Sequence, residues 1–316
     1  MCPGCRRHSE RGLELSTLEL EPGAERVGDE ALAGTLRCLG CARRYPIIDG
    51  VPVLLRDLAQ VEAFGLLSLA PEALSLLAGA GPDGGMLAHG AAQLSTYLDS
   101  SWGDLAEPKL ACGFEGLAAR LSAPAPVATA LELGCGVGRG LASLRAGLVV
   151  GVDQSLSALR VARRILRGEP VRYARRTLGR CYSTAQLRAP PRPGVQLLCA
   201  DALDPPFAPG SFARVAAMNL LDNVRSPRAL LHHLHALAAP GADLLLATPY
   251  AWRDGIVDEG ERIDGPAALR AELGALGWTD LVDEPRVPWT LRRDERSSTS
   301  YEVHFLRARR GPDAVP

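Results

Sequence analysis

The chain reads as an α/β protein, a doubly wound and mostly parallel sheet of seven strands closed by an antiparallel hairpin, with a small cysteine-bearing unit ahead of it. Three observations predict this. Between residues 111 and 310, strand-like apolar runs alternate with helical stretches, as in parallel sheets with crossover helices. A glycine-rich turn follows the first of those runs directly. Two Cys-x-x-Cys pairs fall within residues 1–57.

The first unit spans residues 1–57. Cys2 and Cys5 form one pair, Cys38 and Cys41 the other. Each pair can turn two thiolates onto one metal, and two pairs complete the tetrahedral sulfur shell that structural zinc prefers, at ~2.3 Å per bond. Two redox or chance pairs are the alternative, which two pairs in so short a unit disfavour. A closed four-thiolate shell leaves no open position, so the expected Zn2+ is structural, with His8 a surface residue. The run Tyr45–Leu55, centred on Asp49-Gly50, predicts a strand, a turn and a second strand.

Residues 58–110 predict a helical linker or cap. They are leucine-rich from Leu58 to Leu77 and then interrupted by Gly79, Gly81, Pro82, Gly84 and Gly85. Within residues 111–310 the parallel strands are expected at Ala128–Leu133, Leu148–Val152, Val195–Cys199, Arg214–Met218 and Asp243–Ala247. Helices are expected at Gly140–Ala146, Leu156–Leu166, Pro227–Ala238 and Pro266–Leu276. Arg286–Leu291 and Tyr301–Arg307 stand too close for a helical crossover and predict the antiparallel hairpin. Residues 311–316 predict a disordered tail.

Composition sets limits on function. A net charge of −1 gives no global field to attract nucleic acid, and Lys109 is the only lysine among the basic residues. No apolar run approaches the ~20 residues of a membrane span, and the N-terminus does not read as a signal peptide. Two thiol pairs plus scattered Cys112, Cys135, Cys181 and Cys199 predict a reducing, cytoplasmic setting.

Ala130–Gly140 carries the cofactor signal. Gly134, Gly136 and Gly138 at alternate positions let the backbone turn sharply where a Cβ would clash. The dinucleotide pattern Gly-x-Gly-x-x-Gly fails from Gly134, because Arg139 holds its last position. Glu132, just before the turn, argues for a cationic ligand. Asp153 ends the second strand, where a carboxylate can take ribose hydroxyls, and Asp201, followed by Ala202, ends the third. Each acid alone is an ordinary helix cap. Acids at three successive strand ends facing one crevice are more than that.

This set, over residues 128–250, resembles the class I S-adenosylmethionine (SAM)-dependent methyltransferases. The resemblance implies the seven-stranded sheet, SAM as cofactor, Glu132 on its methionine ammonium, Asp153 on the ribose and Asp201 on the adenine. The first 55 residues resemble the small zinc-ribbon proteins that activate tRNA and protein methyltransferases. In that family the ribbon binds a catalytic subunit, so docking in cis is the expectation here, with a protein partner as the alternative.

The acceptor's walls are expected at the ends of the fourth and fifth strands. Asn219-Leu220-Leu221-Asp222-Asn223, Pro240-Gly241-Ala242 and Thr248-Pro249-Tyr250-Ala251-Trp252 resemble the ovothiol-pathway methyltransferases that act on the imidazole of 4-mercaptohistidine. That implies a small acceptor methylated on nitrogen. Asn219 would contact cofactor and acceptor, and Asn219, Asp222 and Tyr250 would carry the reaction. Tyr250 and Trp252 can stack a flat ring or a cation, and Arg292 or Arg293 can grip a carboxylate. Trp252 and Trp289 read equally as core, and Asp222 as a loop cap.

Arg172, Arg175, Arg176, Arg180, Arg188 and Arg192, interleaved with Tyr173 and Tyr182, predict a solvated loop or lid over the acceptor, with an RNA-contacting patch the alternative. His232, His233 and His235 predict a plain helix surface. Two rival functions stay open. One is an rRNA or tRNA base methyltransferase, which the neutral charge disfavours. The other is a scaffold or activator without catalysis, against which Glu132, Asp153 and Asp201 speak.

Overall fold

The structure is a computed structural model that describes residues 1–5, 7–9, 12–14, 16–56, 86–179 and 181–311. The expected leucine-rich helix from Leu58, its glycine-rich end and the tail beyond Gly311 lie outside these residues, as does Arg180.

The N-terminal unit opens on a 3-10 turn at Pro3–Cys5 and is otherwise built of short strands. Strands β1 (Arg7–Ser9) and β2 (Gly12–Glu14) pair as a hairpin. Four more follow: β3 (Leu18–Leu20), β4 (Glu25–Val27), β5 (Glu30–Cys38) and β6 (Arg44–Ile48). Strand β5 is the spine, antiparallel to β3, β4 and β6. At Asp49 and Gly50 φ is +48° and +74°, the pair of positive values that a tight hairpin turn requires. That turn delivers β7 (Val51–Pro52) back onto β6.

The chain then seats the unit on the remainder of the molecule. Val53 bridges Cys199 in parallel, and Leu54 N–H donates to the Cys199 carbonyl at 2.7 Å. This covers a sheet edge that would otherwise offer unpaired backbone groups.

The larger part opens with α1 (Met86–Trp102), β8 (Ala106–Glu107) and α2 (Glu115–Ser122). Next come β9 (Val127–Leu133), α3 (Arg139–Ser143), β10 (Ala146–Asp153) and α4 (Leu156–Leu166). Strands β11 (Val171–Leu178) and β12 (Cys181–Leu187) precede β13 (Val195–Cys199) and β14 (Phe212–Met218). The chain ends through α5 (Pro227–Leu237), β15 (Ala238–Thr248), α6 (Pro266–Ala275), β16 (Trp278–Arg292) and β17 (Ser298–Arg310).

The main sheet runs β13-β10-β9-β14-β15-β17-β16. Its pairs are parallel from β13 to β15, and β17 lies antiparallel to both β15 and β16. Strands β9 and β10 are central and apolar-buried at their carboxyl halves. One face packs on α5 and α6 through Leu244, Leu246, Leu306, Leu230, Leu234 and Leu273. The other packs on α2 and α4 through Leu245, Phe305, Leu117, Leu121 and Leu159. Strand order reverses between β9 and β14, and ligands of open α/β sheets bind at such switch points, outside the strands' carboxyl ends.

Expected and observed elements differ mainly at their ends. The closing hairpin is far longer than the apolar runs that announced it. Its polar extensions pair across register shifts at Asp280/Val282 and Glu284/Val287.

The stretch read as a solvated loop or lid is neither. Strands β11, β12 and β8 form a separate three-stranded antiparallel sheet. The reason is burial: Tyr173 is 2% and Arg175 3% exposed. Arg175 donates to Asp99 of α1 at 2.9 Å, and Tyr173 OH donates to the same carboxylate at 2.5 Å. Removing one partner of such a buried pair costs far more than the pair itself contributes. The hairpin therefore fixes α1, and Tyr173 and Arg175 are not available to RNA. No described helix is long and apolar enough to cross a membrane.

Candidate active site and metal centre

The two Cys-x-x-Cys turns face each other. The sulfurs of Cys2, Cys5, Cys38 and Cys41 all lie within 4.8 Å of one another, with Cys2–Cys41 at 3.8 Å and Cys5–Cys38 at 3.5 Å. Four thiolates on one tetrahedral ion stand about 3.8 Å apart, so the set fits zinc. Gly40 and Cys41 donate backbone N–H to Cys38 Sγ at 3.3 and 3.4 Å. Burial pushes the Cys38 thiol up, but these donors pull it down to about 6, toward the thiolate that binds metal. Buried Tyr45 lies beneath, its hydroxyl 3.2 Å from Cys2 Sγ. Among the described residues this is the one such cluster. His232, His233 and His235 of α5 are no part of another, and the side chain of His8 lies outside the described residues.

The unit is tied to the chain that follows. Glu30 pairs with Arg163 of α4 at 2.8 Å and with Arg167, its C-cap, at 2.6 Å, Asp49 with Arg160, and Arg56 with Asp204 at 2.6 Å. Val51, Val53 and Leu55 join the core around α4. Docking is in cis.

The second cluster forms at the switch point. Glu132, on β9, is 2% exposed, and its Oε2 has no hydrogen-bond partner among the described residues. A Cβ on Gly140 would stand 2.1 Å from Glu132 Oε1, so the bare α3 backbone makes the carboxyl's room. Burial, then the nearby Asp153 charge, push Glu132 up to about 8. At Gly136 φ is +49° and a Cβ would meet nothing within 4 Å, so that face of the turn borders open space. Gly134 and Gly138 also take positive φ, and Gly138 caps α3.

Asp153 makes the capping contacts open to an acid at a strand end. Its two oxygens accept the backbone N–H of Gly136 and of Ser155, each at 2.8 Å. The acid thus ties the glycine turn to the end of β10, and each oxygen keeps further lone pairs. Asp201 likewise accepts Leu203 N–H at 2.8 Å, beside buried Ala202.

On the acceptor side, Asn219 takes φ +54° and its Oδ1 is buried without a partner among the described residues. Asp222 is 2% exposed. Burial pushes its carboxyl up to about 6 against the pull of its own and Ala251's backbone N–H, the Arg253 charge and Asn223. Tyr250 also takes a left-handed φ, +53°, and its ring lies 6.3 Å from that of Trp252.

The arginines fall elsewhere. Arg292 N–H donates to Ser100 Oγ of α1 at 2.8 Å, and Arg293 is exposed in the β16–β17 turn, closed onto Ser297. Arg253 is the arginine whose charge reaches Asp222.

Four residues escaped the sequence reading. Tyr97 of α1 is raised by burial and sits within electrostatic reach of Arg253, Asp153 and Asp222. Helix α1 is held over the turn by Trp102, whose Nε1–H donates to the Val137 carbonyl at 2.9 Å. Arg253, His304 and Asp283 are the others. His304 alone left a signal, as the one polar residue within the buried run Val303–Leu306 of β17.

Residues 131–246 match the family described as "Methyltransferase domain". No curated protein compared with the chain matches it. Among solved structures it is similar to a chain of the complex between the Haloferax volcanii Trm112 methyltransferase activator and a methyltransferase, at 15% identity over 63% of this chain and 89% of that one, with a TM-score of 0.44. It is similar to a protein of Bacillus halodurans C-125 described as a methyltransferase, at 13% identity over 62% and 97%, TM-score 0.45. A third is the SAM-bound magnesium protoporphyrin IX methyltransferase of Synechocystis PCC 6803, at 20% identity over 62% and 77%, TM-score 0.41.

Proposed function

We infer that this SAM-dependent methyltransferase acts on a nitrogen of a small amino-acid-like or imidazole acceptor, bound at the carboxyl ends of β14 and β15. The observation that carries the reading is Asp222, a 2%-exposed carboxyl at a strand end beside the unpartnered Oδ1 of Asn219. A carboxyl buried at such a cost is a marker of function, and an amine or imidazole N–H would give the Asn219 Oδ1 the partner it lacks.

SAM supplies an activated methyl on a sulfonium. The residues fit it: the orphaned Glu132 oxygen suits an ammonium, the open face of Gly136 suits close approach, and Asp153 and Asp201 have lone pairs left for ribose and adenine. Asn219 would face both cofactor and acceptor. Tyr250 and Trp252 would flank the acceptor ring. Support for gripping an acceptor carboxylate is better at Arg253, which reaches Asp222 electrostatically, than at Arg292 or Arg293. Transfer then depends on alignment and exclusion of water, for which α1, with Tyr97, forms the cover.

The N-terminal unit reads as a zinc ribbon whose metal is structural, since four thiolates close the shell. Free cysteines throughout the described residues suit a reducing cytoplasm. The chain from residue 111 to 310 acts as the catalytic domain, with α1 and the described residues that follow it as cap.

The test is methyl incorporation from labelled SAM into pools of imidazoles, amino acids and RNA. Label in an imidazole or amino acid is expected; label confined to RNA rejects the reading. With the acceptor in hand, Asp222→Asn should lose about 100-fold in transfer with SAM affinity unchanged by calorimetry. Near-normal transfer by that variant removes Asp222 from the pocket.

A further inference from the structure

Tyr250, His304 and Asp283 come from three different strands or strand ends and meet in a continuous hydrogen-bonded line. Tyr250 Oη lies 2.6 Å from His304 Nδ1, and His304 Nε2 lies 2.7 Å from Asp283 Oδ1. The Tyr250 and His304 rings stack, with centroids 5.9 Å apart and planes at 24°. His304 is 2% exposed, on β17 opposite Thr248. Asp283, on β16, has a side chain 31% exposed and also pairs with Arg270 of α6. The line thus starts at the carboxyl end of β15 and finishes at the surface.

Its start adjoins the crevice. Asp222 accepts the backbone N–H of Ala251, the residue after Tyr250. Tyr250 itself is held in a left-handed conformation, φ +53°, which is strained for a non-glycine residue. Its N–H donates to Thr248 Oγ1 at 3.2 Å, which helps hold that conformation.

Proton positions follow from the neighbours. The groups facing His304 are Tyr250, Asp283 and, through Asp283, Arg270. Burial raises the Tyr250 phenol well above its usual range, so the hydroxyl keeps its proton and donates it to Nδ1. With the Tyr250 hydroxyl donating to Nδ1, the Nε2–H donates to the Asp283 carboxylate, which its hydrogen bonds and the Arg270 charge hold below the usual carboxylate range. A buried histidine needs only two local partners to be satisfied. Here one partner comes from the residue before Ala251, whose N–H meets Asp222, and the other is partly exposed.

We propose that Tyr250, His304 and Asp283 form a proton relay that carries the acceptor's displaced proton from the crevice to solvent; this rests on the acceptor reading above. As the acceptor nitrogen's lone pair forms the bond to the methyl carbon, the carbon–sulfur bond breaks and its pair stays on sulfur. The nitrogen's N–H proton passes to Tyr250 Oη while the phenol's own proton passes to His304 Nδ1. The resulting imidazolium is stabilised by Asp283 and passes its Nε2 proton to that carboxylate, which releases it to water; the ring regains its Nε2-protonated form by exchange with solvent before the next turnover. Tyr250 is the catalytic residue, and His304 and Asp283 are positioning residues.

The experiment reads His304 directly, in the full chain labelled with ¹⁵N-histidine and free of cofactor. Imidazole nitrogen spectra at pH 7.5, assigned with His304→Gln, should show a neutral ring protonated on Nε2, with an Nδ1 signal that moves in Tyr250→Phe. An imidazolium, or a ring protonated on Nδ1, overturns the relay. In the transfer assay, His304→Gln should lower kcat at least tenfold and change the pH profile, with KM and SAM affinity within threefold; Asp283→Asn, which keeps the shape, should change the profile in the same sense. Profiles of wild-type form in both variants overturn the proposal. Failure of the acceptor reading looks different: transfer then survives Asp222→Asn.

Discussion

Four sulfurs in the N-terminal unit stand within 4.8 Å of one another, and one of them takes two backbone donors. In the crevice, by contrast, a Glu132 oxygen and the Asn219 amide oxygen are buried with no partner among the described residues. Both sites are built for a ligand, but they hold opposite stakes in the fold. The sulfur cage lies under the strands that β5 and β6 bring together, so its ion would be part of the structure. The crevice must stand without its ligand and bears the cost of desolvated groups that only a ligand can satisfy. On this reading one site would need its ligand to fold, and the other would be destabilised so that it can bind.

The sharpest way to break that contrast is to take the metal away. Zinc bound to a structural site contributes folding free energy outright, ~10 kcal/mol or more in isolated zinc peptides. Cys38→Ser is expected to lose the one equivalent of zinc and to lower the melting temperature by more than any crevice substitution. Metal analysis with calorimetric melting checks it, and a variant with unchanged metal content and stability would mean the cysteines are no cage.

Glu132→Gln tests the other side. Glu132 is held up to about 8 from an ordinary 4.5. A carboxyl raised in the fold favours its protonated form there, so the free protein loses stability as pH climbs from the lower value through the upper one. The amide removes that dependence. At pH 8 the variant should be more stable than wild type when SAM is absent, by a few kcal/mol, and should bind SAM at least about tenfold more weakly. Destabilisation at pH 8 would refute the account of the crevice.

The same carboxyl predicts a smaller, continuous effect. Between pH 6 and 7 most of the free protein carries the Glu132 proton, which must leave when an ammonium arrives. SAM affinity should therefore rise about tenfold over that unit of pH, with a proton released to buffer on binding. Calorimetry in two buffers of different ionisation enthalpy reads that proton, and a flat affinity contradicts the assignment of Glu132.

The two sites were also unequally legible. Metal ligands come in short local spacings, so Cys2-x-x-Cys5 and Cys38-x-x-Cys41 announce themselves before any fold is known. Glu132, Asp153 and Asp201 were legible because each ends an apolar run, and parallel strands align such ends. The acceptor side depends on contacts made across the chain. Tyr97 enters from a helix far upstream, and His304 meets Tyr250 only because β17 runs antiparallel beside β15. The arginine-rich stretch misled for a related reason. Its composition suggests solvent, but Asp99 on α1 offers Arg175 a buried partner that no local pattern reveals.

The smallest expected effect lies where the two sites touch. The ribbon's exit strand runs beside Cys199–Asp204, the edge assigned to adenine, and two kinds of contact hold it there. One is the backbone bond from Leu54 to Cys199, with Val53 and Leu55 buried around it. The other is the Arg56–Asp204 ion pair at 2.6 Å, whose arginine side chain is 58% exposed. An exposed pair of this kind contributes ~0–1 kcal/mol and is screened by salt. Arg56→Ala is therefore expected to shift stability by no more than about 0.5 kcal/mol and to leave SAM affinity within threefold of wild type, less still at high salt. Leu54→Pro, which deletes the N–H donor, should cost more in both measurements. If Arg56→Ala matched or exceeded the proline variant, the edge would be held by charge rather than by backbone pairing and burial. The division between a structural site and a binding site would then fail at the one place where they meet.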